Sequence, residues 1–394
     1  MNVTVGIVGA GPAGLLAANL LTRAGIECAV FERLSEEAVR ARTRAGLLEA
    51  RTASLLERHG LGNGMRSKGT RCGACEFRRD GTRHVFDYAA LVGIHHHVYP
   101  QQMLVGDLID ALRTAAGDLR FLCPVRDVRS GASPEIVLEE GAAVRCDFVL
   151  GCDGFHGVTR AALKGASCAG RDFGAEWLAL LAESPPSSDH TIYGLHREGF
   201  AGHMLRSATV SRFYLQVEPD SRAEDWSDDR VWDLLRQRLR ADGHAPAPGR
   251  ILERSTLQLH SYVTEPMQNG AVFLAGDAAH IVTPAGGKGM NLALQDADAL
   301  VSGLLDHYRS GDDRLLAEYS TTRLAAIWPM VEFSHWLLEL LLARPGEGRF
   351  REGLREARLA RLMAGGAFAH EFAVNFVGPP ASGADASSPA APPR

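Results

Sequence analysis

The chain has 394 residues, enough for two or three packed units, and 46% of them are hydrophobic, enough for a sizeable core. Its 42 basic residues against 47 acidic ones leave a net charge of −5, which argues against a nucleic-acid binder. No apolar run reaches the roughly 18 residues of a membrane span and no basic leader opens the chain, so a soluble, cytoplasmic protein with no membrane partner is expected.

Val3–Val8 is a short β-branched run, Leu15–Ala24 reads as a helix and Glu27–Glu32 as a second strand. Between the first two lie Gly9, Gly11 and Gly14, spaced G-x-G-x-x-G. The first glycine permits a tight turn, the second lets a pyrophosphate approach the backbone, and the third allows close helix–strand packing. Glu32 ends the second strand, where a carboxylate accepts from ribose hydroxyls. Leu47–Gly60 and Leu104–Ala116 have helical spacing, Phe121–Leu138 reads as strands, and Phe148–Leu150 runs into the turn "GCDG".

From about Trp177 to Val263 the pattern alternates like antiparallel strands around one helix, "WSDDRVWDLLRQRLRADG", with Ser227 as its N-cap. Ala271–Ala275 returns as a buried strand, and helices follow from Asn291 to about Arg344. The expected fold class is α/β: a Rossmann-like dinucleotide-binding domain with an inserted mainly-β substrate domain and C-terminal helices. Its divisions fall at 1–176, 177–268, a return to the first domain over 269–300, and a helical interface region over 301–378. The tail, 379–394, is Pro, Ala and Ser with little to bury and is expected to be disordered.

Seven cysteines make an odd count that fits reduced thiols. Cys72 and Cys75 form a C-x-x-C, but a structural zinc needs a second ligand pair at matching spacing and there is none. His95, His96 and His97 are adjacent, so in a strand they point to opposite faces; they read as ordinary strand histidines, and no metal is expected. "FLAGDAAHIVTPAGGKGMNLALQDA", Phe273–Ala297, puts a Gly-Asp turn after a buried strand and a glycine-rich loop before a helix. That combination suits an anionic ligand with phosphates near backbone N–H groups and a carboxylate on a sugar-type hydroxyl.

A glycine fingerprint, an internal Asp-Gly turn and a late Gly-Asp turn resemble the single-component flavoprotein aromatic hydroxylases. "RAGLLE", "GCDGFHG", "EDWSD", "EPMQNG" and "FLAGDAAHIV" resemble, in order and at similar spacing, the p-hydroxybenzoate hydroxylase family over about Val3 to Pro379. The resemblance implies FAD, NADPH or NADH as electron donor, a small aromatic carboxylic acid and O2 as reactants, and a homodimer. It places Glu32 on the adenosine ribose, Arg42 and Arg44 along the diphosphate and ribityl region, Gln101 against the cofactor, and Asp277 on the ribityl chain. Gly289 and Met290 would sit by the isoalloxazine ring at a helix N-terminus. Arg33 and His156 match nicotinamide-cofactor positions, while Leu34 and Ala38 replace residues that help recognise a 2′-phosphate, leaving NADH plausible.

For the substrate, Arg206 matches the arginine that pairs with the carboxylate and Tyr214 a second carboxylate contact. Tyr193 and the Pro284 carbonyl match contacts to the 4-hydroxyl. The departures fall on the proton path and the carboxylate. Phe376 stands at a catalytic position where the family has a relaying tyrosine, Cys72 where it has a histidine, and Met204 where a serine binds the carboxylate. A phenyl ring cannot carry a proton and a thiol replaces imidazole poorly. The favoured expectation is therefore a ring already activated by a second donor, 3-amino-4-hydroxybenzoate hydroxylated at C2. The alternative is 4-hydroxybenzoate 3-hydroxylation with water and one of His95–His97 as relay. An oxidase or dehydrogenase, and a non-catalytic FAD or ligand binder, are the rival classes.

Overall fold

The computed structural model describes residues 2–44, 46–344, 346 and 348–378; the tail expected to be disordered lies outside them. Asn2–Val8 is the hub of the first sheet, paired in parallel with Cys28–Phe31 on one side and Ala143–Gly151 on the other. Asp118–Arg120 extends the sheet beyond Cys28–Phe31, and Val272–Leu274 beyond Ala143–Gly151, both in parallel. A parallel sheet is covered on both faces, and its central strand pair is accordingly largely apolar; Cys28–Phe31 is buried at every position. The helix Pro12–Arg23 covers one face, with Leu15, Leu16 and Leu21 fully buried.

The second sheet has eight strands, and the long antiparallel pair Ser167–Ala182 and Ile251–Glu265 is its spine. Ser211–Val217, Gly199–Leu205 and Thr191–His196 follow in order. Thr191–His196 then pairs in parallel with Ala74–Arg79, which forms a hairpin with Thr82–Asp87. The sheet thus draws two strands from well before residue 177. Its opposite edge is His280–Ile281, so the chain leaves Val272–Leu274 of the first sheet, makes one turn and joins the second. A small third sheet joins Leu47–Leu48, His96–Val98 and Thr70–Cys72.

The helix expected over Leu47–Gly60 begins later, at Ala50, because Leu47 and Leu48 are extended. Asn291 holds them so: its Nδ2 donates to Leu47 O at 2.8 Å and its Oδ1 accepts from Glu49 N at 2.9 Å. Ser227 caps Asp228–Leu239 as expected, its hydroxyl accepting from Arg230 N. That helix covers the outer face of the second sheet, with Val231 and Leu235 fully buried.

Tyr319–Leu341 is the one helix among the described residues that is long and apolar enough to cross a membrane, a feature that counting uninterrupted apolar runs did not anticipate. Its apolarity has a local cause. Ile327, Met330 and Val331 belong to the core under the first sheet, while Phe333, Leu337, Leu338 and Leu341 belong to the core between the second sheet and the C-terminal helices. A helix that serves two cores is apolar around most of its circumference.

Candidate active site

Loops leave the carboxyl ends of neighbouring parallel strands and meet at one crevice, the usual position of a ligand in such sheets. Gly9 has φ 100°, in the left-handed region, and a Cβ there would stand 2.4 Å from Cys152 O. Gly14 is needed for contact, since its Cβ would meet Gly9 O at 2.1 Å. Gly11 leaves its backbone open, with nothing nearer than 4.0 Å. Glu32 accepts from Ala10 N at 2.8 Å and Leu34 N at 2.9 Å, so this carboxylate braces the glycine turn as well as ending the second strand.

From Val272 to His280 every residue is buried except Asp277, which is exposed. Arg44 feels its charge. The Arg44 pKa is lowered first by the protein mass around it and then by Arg42, with Asp277 opposing, although both arginines keep surface open to solvent. Gln101 opens the helix Gln101–Thr114, and Gly289 opens Gly289–Ser310 with empty space where a Cβ would go; Met290 follows, half-buried. Open backbone at Gly11 and Gly289, a lone outward carboxylate and two cations fit a dinucleotide such as FAD. Arg33 and His156 are both exposed, and no contact among the described residues joins them; His156 packs on Phe155 at 5.0 Å.

A cavity of about 450 Å³ opens beside the Pro284–Gly287 loop, within the roughly 300–1,000 Å³ of small-molecule sites. Its wall includes Arg206, Tyr214, Tyr193, Met204 and Pro284, all expected from the sequence, together with Cys72 and Trp177. The sheet register sets two tyrosines beside the cavity. Gly202 stands opposite Tyr193 on one side and Tyr214 on the other, so two tyrosines flank a position without a side chain.

Arg206 follows the strand Gly199–Leu205. Its Nη1 reaches only Leu205 O, at 3.5 Å, and its Nη2 is buried without a partner. Burial lowers its pKa, Tyr214 opposes and Arg212 reinforces the effect. Trp177 Nε1 is a second buried donor without a partner. Two unsatisfied donors, one of them charged, around one cavity suit a carboxylate-bearing ligand. At Tyr193, burial first and then Cys75 and Cys72 raise the pKa well above that of a free phenol, so its hydroxyl keeps its proton and donates. The Pro284 carbonyl accepts from Gly287 N at 3.2 Å and retains one lone pair.

The sequence matches the FAD binding domain family over residues 2–334. Over 96% of its length, and 96% of the relative's, the chain is 37% identical to the p-hydroxybenzoate hydroxylase of Acinetobacter baylyi. The chain belongs to the p-hydroxybenzoate hydroxylase family of FAD-dependent aromatic hydroxylases. It is also 30% identical to an anhydrotetracycline monooxygenase of Streptomyces rimosus, over 91% of this chain and 76% of that protein. Its fold superposes on p-nitrophenol 4-monooxygenase PnpA from Pseudomonas putida DLL-E4 with a TM-score of 0.82, at 22% identity, covering 95% of this chain and 97% of that one.

Against the hydroxylase family's pattern, the three departures take up different places. Met204 and Cys72 line the cavity, but Phe376 does not: its ring lies behind the wall against Tyr88, His96 and Phe372, at 5.3, 5.2 and 5.6 Å between centroids. The polar group that Phe376 supplies is its carbonyl, which accepts from Lys288 Nζ at 2.8 Å and lies 3.0 Å from His96 Nε2. His96 is not an ordinary strand histidine, therefore, but a fully buried member of a polar chain. Sequence reasoning passed over three residues here, Trp177, Tyr88 and Lys288, and named His96 only as one of three histidines for an alternative relay. Only the lysine carried a signal, as the single cation in the glycine-rich loop.

Proposed function

We propose that this flavoprotein monooxygenase hydroxylates 4-hydroxybenzoate to 3,4-dihydroxybenzoate, consuming one O2 and one NAD(P)H and releasing one water. The observation that carries the reading is Arg206, a guanidinium in the cavity wall with no acidic side chain paired to it among the described residues and a buried N–H to spare. A benzoate supplies the missing anion. Across the cavity, Tyr193 donates to the 4-hydroxyl oxygen and the free lone pair of the Pro284 carbonyl accepts from that hydroxyl. Tyr214 and Trp177 complete the carboxylate end. Bound FAD supplies acceptance of two electrons from NAD(P)H and activation of O2. The protein supplies orientation, a water-poor cavity and control of the phenol proton.

The name and 37% identity of the Acinetobacter relative support this substrate over an amino-substituted one. Met204 favours a second reading, 3-amino-4-hydroxybenzoate hydroxylated at C2, because a thioether offers a carboxylate no hydrogen bond and lets it sit differently. Product analysis with both acids, and with NADH and NADPH in turn, separates the two. The first reading expects one 3,4-dihydroxybenzoate for each NAD(P)H oxidised. Nucleotide oxidation without product from 4-hydroxybenzoate, alongside coupled turnover of the amino acid analogue, replaces it with the second. A homodimer goes with the same family reading, and Trp328, 41% exposed on the long helix Tyr319–Leu341, is a residue to find covered in it.

A further inference from the structure

The turn that presents Asp277 hangs from a single buried carboxylate. Asp296, completely buried in the helix Gly289–Ser310, accepts at Oδ2 from Gly276 N at 3.0 Å and from His280 Nε2 at 2.6 Å. Those two residues open and close the segment that carries Asp277. The other oxygen, Oδ1, accepts from Arg323 Nε at 2.7 Å, on the helix Tyr319–Leu341. Within the turn, Gly276 O accepts from Ala279 N at 2.8 Å. Gly276 has φ 61°, in the left-handed region, and a Cβ there would stand 3.0 Å from Ala293 Cβ. Ala293 and Asp296 lie three residues apart, on one face of their helix, so the turn packs on that face and is hydrogen-bonded to it.

No hydrogen bond or ion pair among the described residues restrains the Asp277 side chain itself, so the backbone of the turn decides where it points. The far side of the turn is pinned as well, because Thr264 N donates to Ala279 O at 2.8 Å and His280 pairs with Val263 of the second sheet. Asp296 shares its helix with Gly289, whose open backbone lies about 10 Å back along the axis at roughly 1.5 Å per residue. One rigid helix thus carries the Gly289 backbone at its start and, through Asp296, the turn of Asp277. All three partners of Asp296 are donors. An asparagine has the same shape, but its amide sets an N–H group against a donor whichever way it turns, so only a carboxylate holds all three.

We propose that Asp296 is a positioning residue for the cofactor. It fixes the Gly276–His280 turn to the helix of Gly289, so that the Asp277 carboxylate and the Gly289 backbone face one FAD together. Fully buried beneath the turn, Asp296 does not touch the cofactor and acts through Asp277. The inference rests on reading Asp277 as a contact to the ribityl chain of FAD, and not on the identity of the aromatic acid.

The test is a double-mutant cycle on FAD binding. Flavin-free wild type, Asp277→Ala, Asp296→Asn and the double variant, each shown to be folded by far-ultraviolet circular dichroism, are titrated with FAD and followed by flavin fluorescence. Each single variant should raise the Kd about tenfold or more, the scale of one hydrogen bond to a charged group. The double variant should bind no more weakly than the weaker single one, because Asp296 works only through Asp277. Visible circular dichroism of the loaded proteins should change in Asp296→Asn as it does in Asp277→Ala. Losses that multiply in the double variant, or an unchanged Kd in Asp296→Asn, overturn the positioning role and leave Asp277 on the cofactor. An unchanged Kd in Asp277→Ala overturns the reading of Asp277, and the positioning with it. If Asp296→Asn does not fold, His280→Ala, which removes one of the two contacts to the turn, takes its place in the cycle and is judged by the same outcomes.

Discussion

Replacing Arg206 with Met tests the carboxylate end of the cavity from two directions. In the liganded enzyme the substitution removes the cation of a desolvated charge pair, which costs about 2–5 kcal/mol. At about 1.4 kcal/mol per factor of ten, the Kd for 4-hydroxybenzoate should rise roughly 30- to 4,000-fold. In the empty enzyme the same change removes a donor that has no partner. A buried unsatisfied donor costs about 1–3 kcal/mol, so R206M without ligand should melt at a higher temperature than wild type. The assay pairs thermal melts of both proteins with titration of the flavin absorbance by 4-hydroxybenzoate and by its uncharged amide. R206M should bind the amide nearly as wild type does. Equal loss of acid and amide, or a lower melting temperature in the empty variant, would show that Arg206 supports the fold instead of holding an anion.

Gly9→Ala puts a Cβ 2.4 Å from Cys152 O at a φ of 100°, and both neighbours are backbone with little freedom to move. The variant should purify without FAD, read as the loss of flavin absorbance per mole of protein; full occupancy would remove the glycine turn from the cofactor site. Asp296 is fully buried; burial pushes its pKa up, but His280 and Arg323 outweigh that and hold it at about 2. The folded value lies below the ordinary 3.8, so its stabilisation is complete above about pH 4 and is lost as the pH falls towards 2. That gap is worth about 2 kcal/mol, so wild type should lose about that much more stability than Asp296→Asn on acidification. Denaturant midpoints that fall in parallel for both proteins would place the acid sensitivity elsewhere.

What could be read from the sequence was what local backbone chemistry dictates. Gly9 has to be glycine because its own φ demands it, Ser227 caps a helix three residues away, and Asp277 follows a run that can only be a buried strand. The rest depends on partners far along the chain. Leu47 and Leu48 have helical company on their C-terminal side, yet Asn291, 244 residues from Leu47, holds them extended. His96 looks like any strand histidine until Phe376, 280 residues on, presents a carbonyl to it. Position 72 was judged by its thiol, whereas the atom that Tyr88 uses is the backbone oxygen, and no side-chain identity reports that. Similarly, position 376 was weighed by its phenyl ring, while the atom that His96 and Lys288 meet is its backbone oxygen.

The carbonyl of Phe376 also ties His96 and the C-terminal helix to the cofactor loop. It lies in the last turn of Gly366–Val377, where the helix dipole favours a cation, and Lys288 is that cation. Lys288 immediately precedes the helix that begins at Gly289, and Glu49 neutralises it. Gly378 packs closely on Glu49: a Cβ there would stand 2.2 Å from Glu49 Oε2. Breaking one side of a buried pair costs about 3–5 kcal/mol, so the loop, Glu49 and the C-terminal helix keep their relative positions. Lys288 also reaches His96: after burial, its positive charge is the next influence that opposes an imidazolium there.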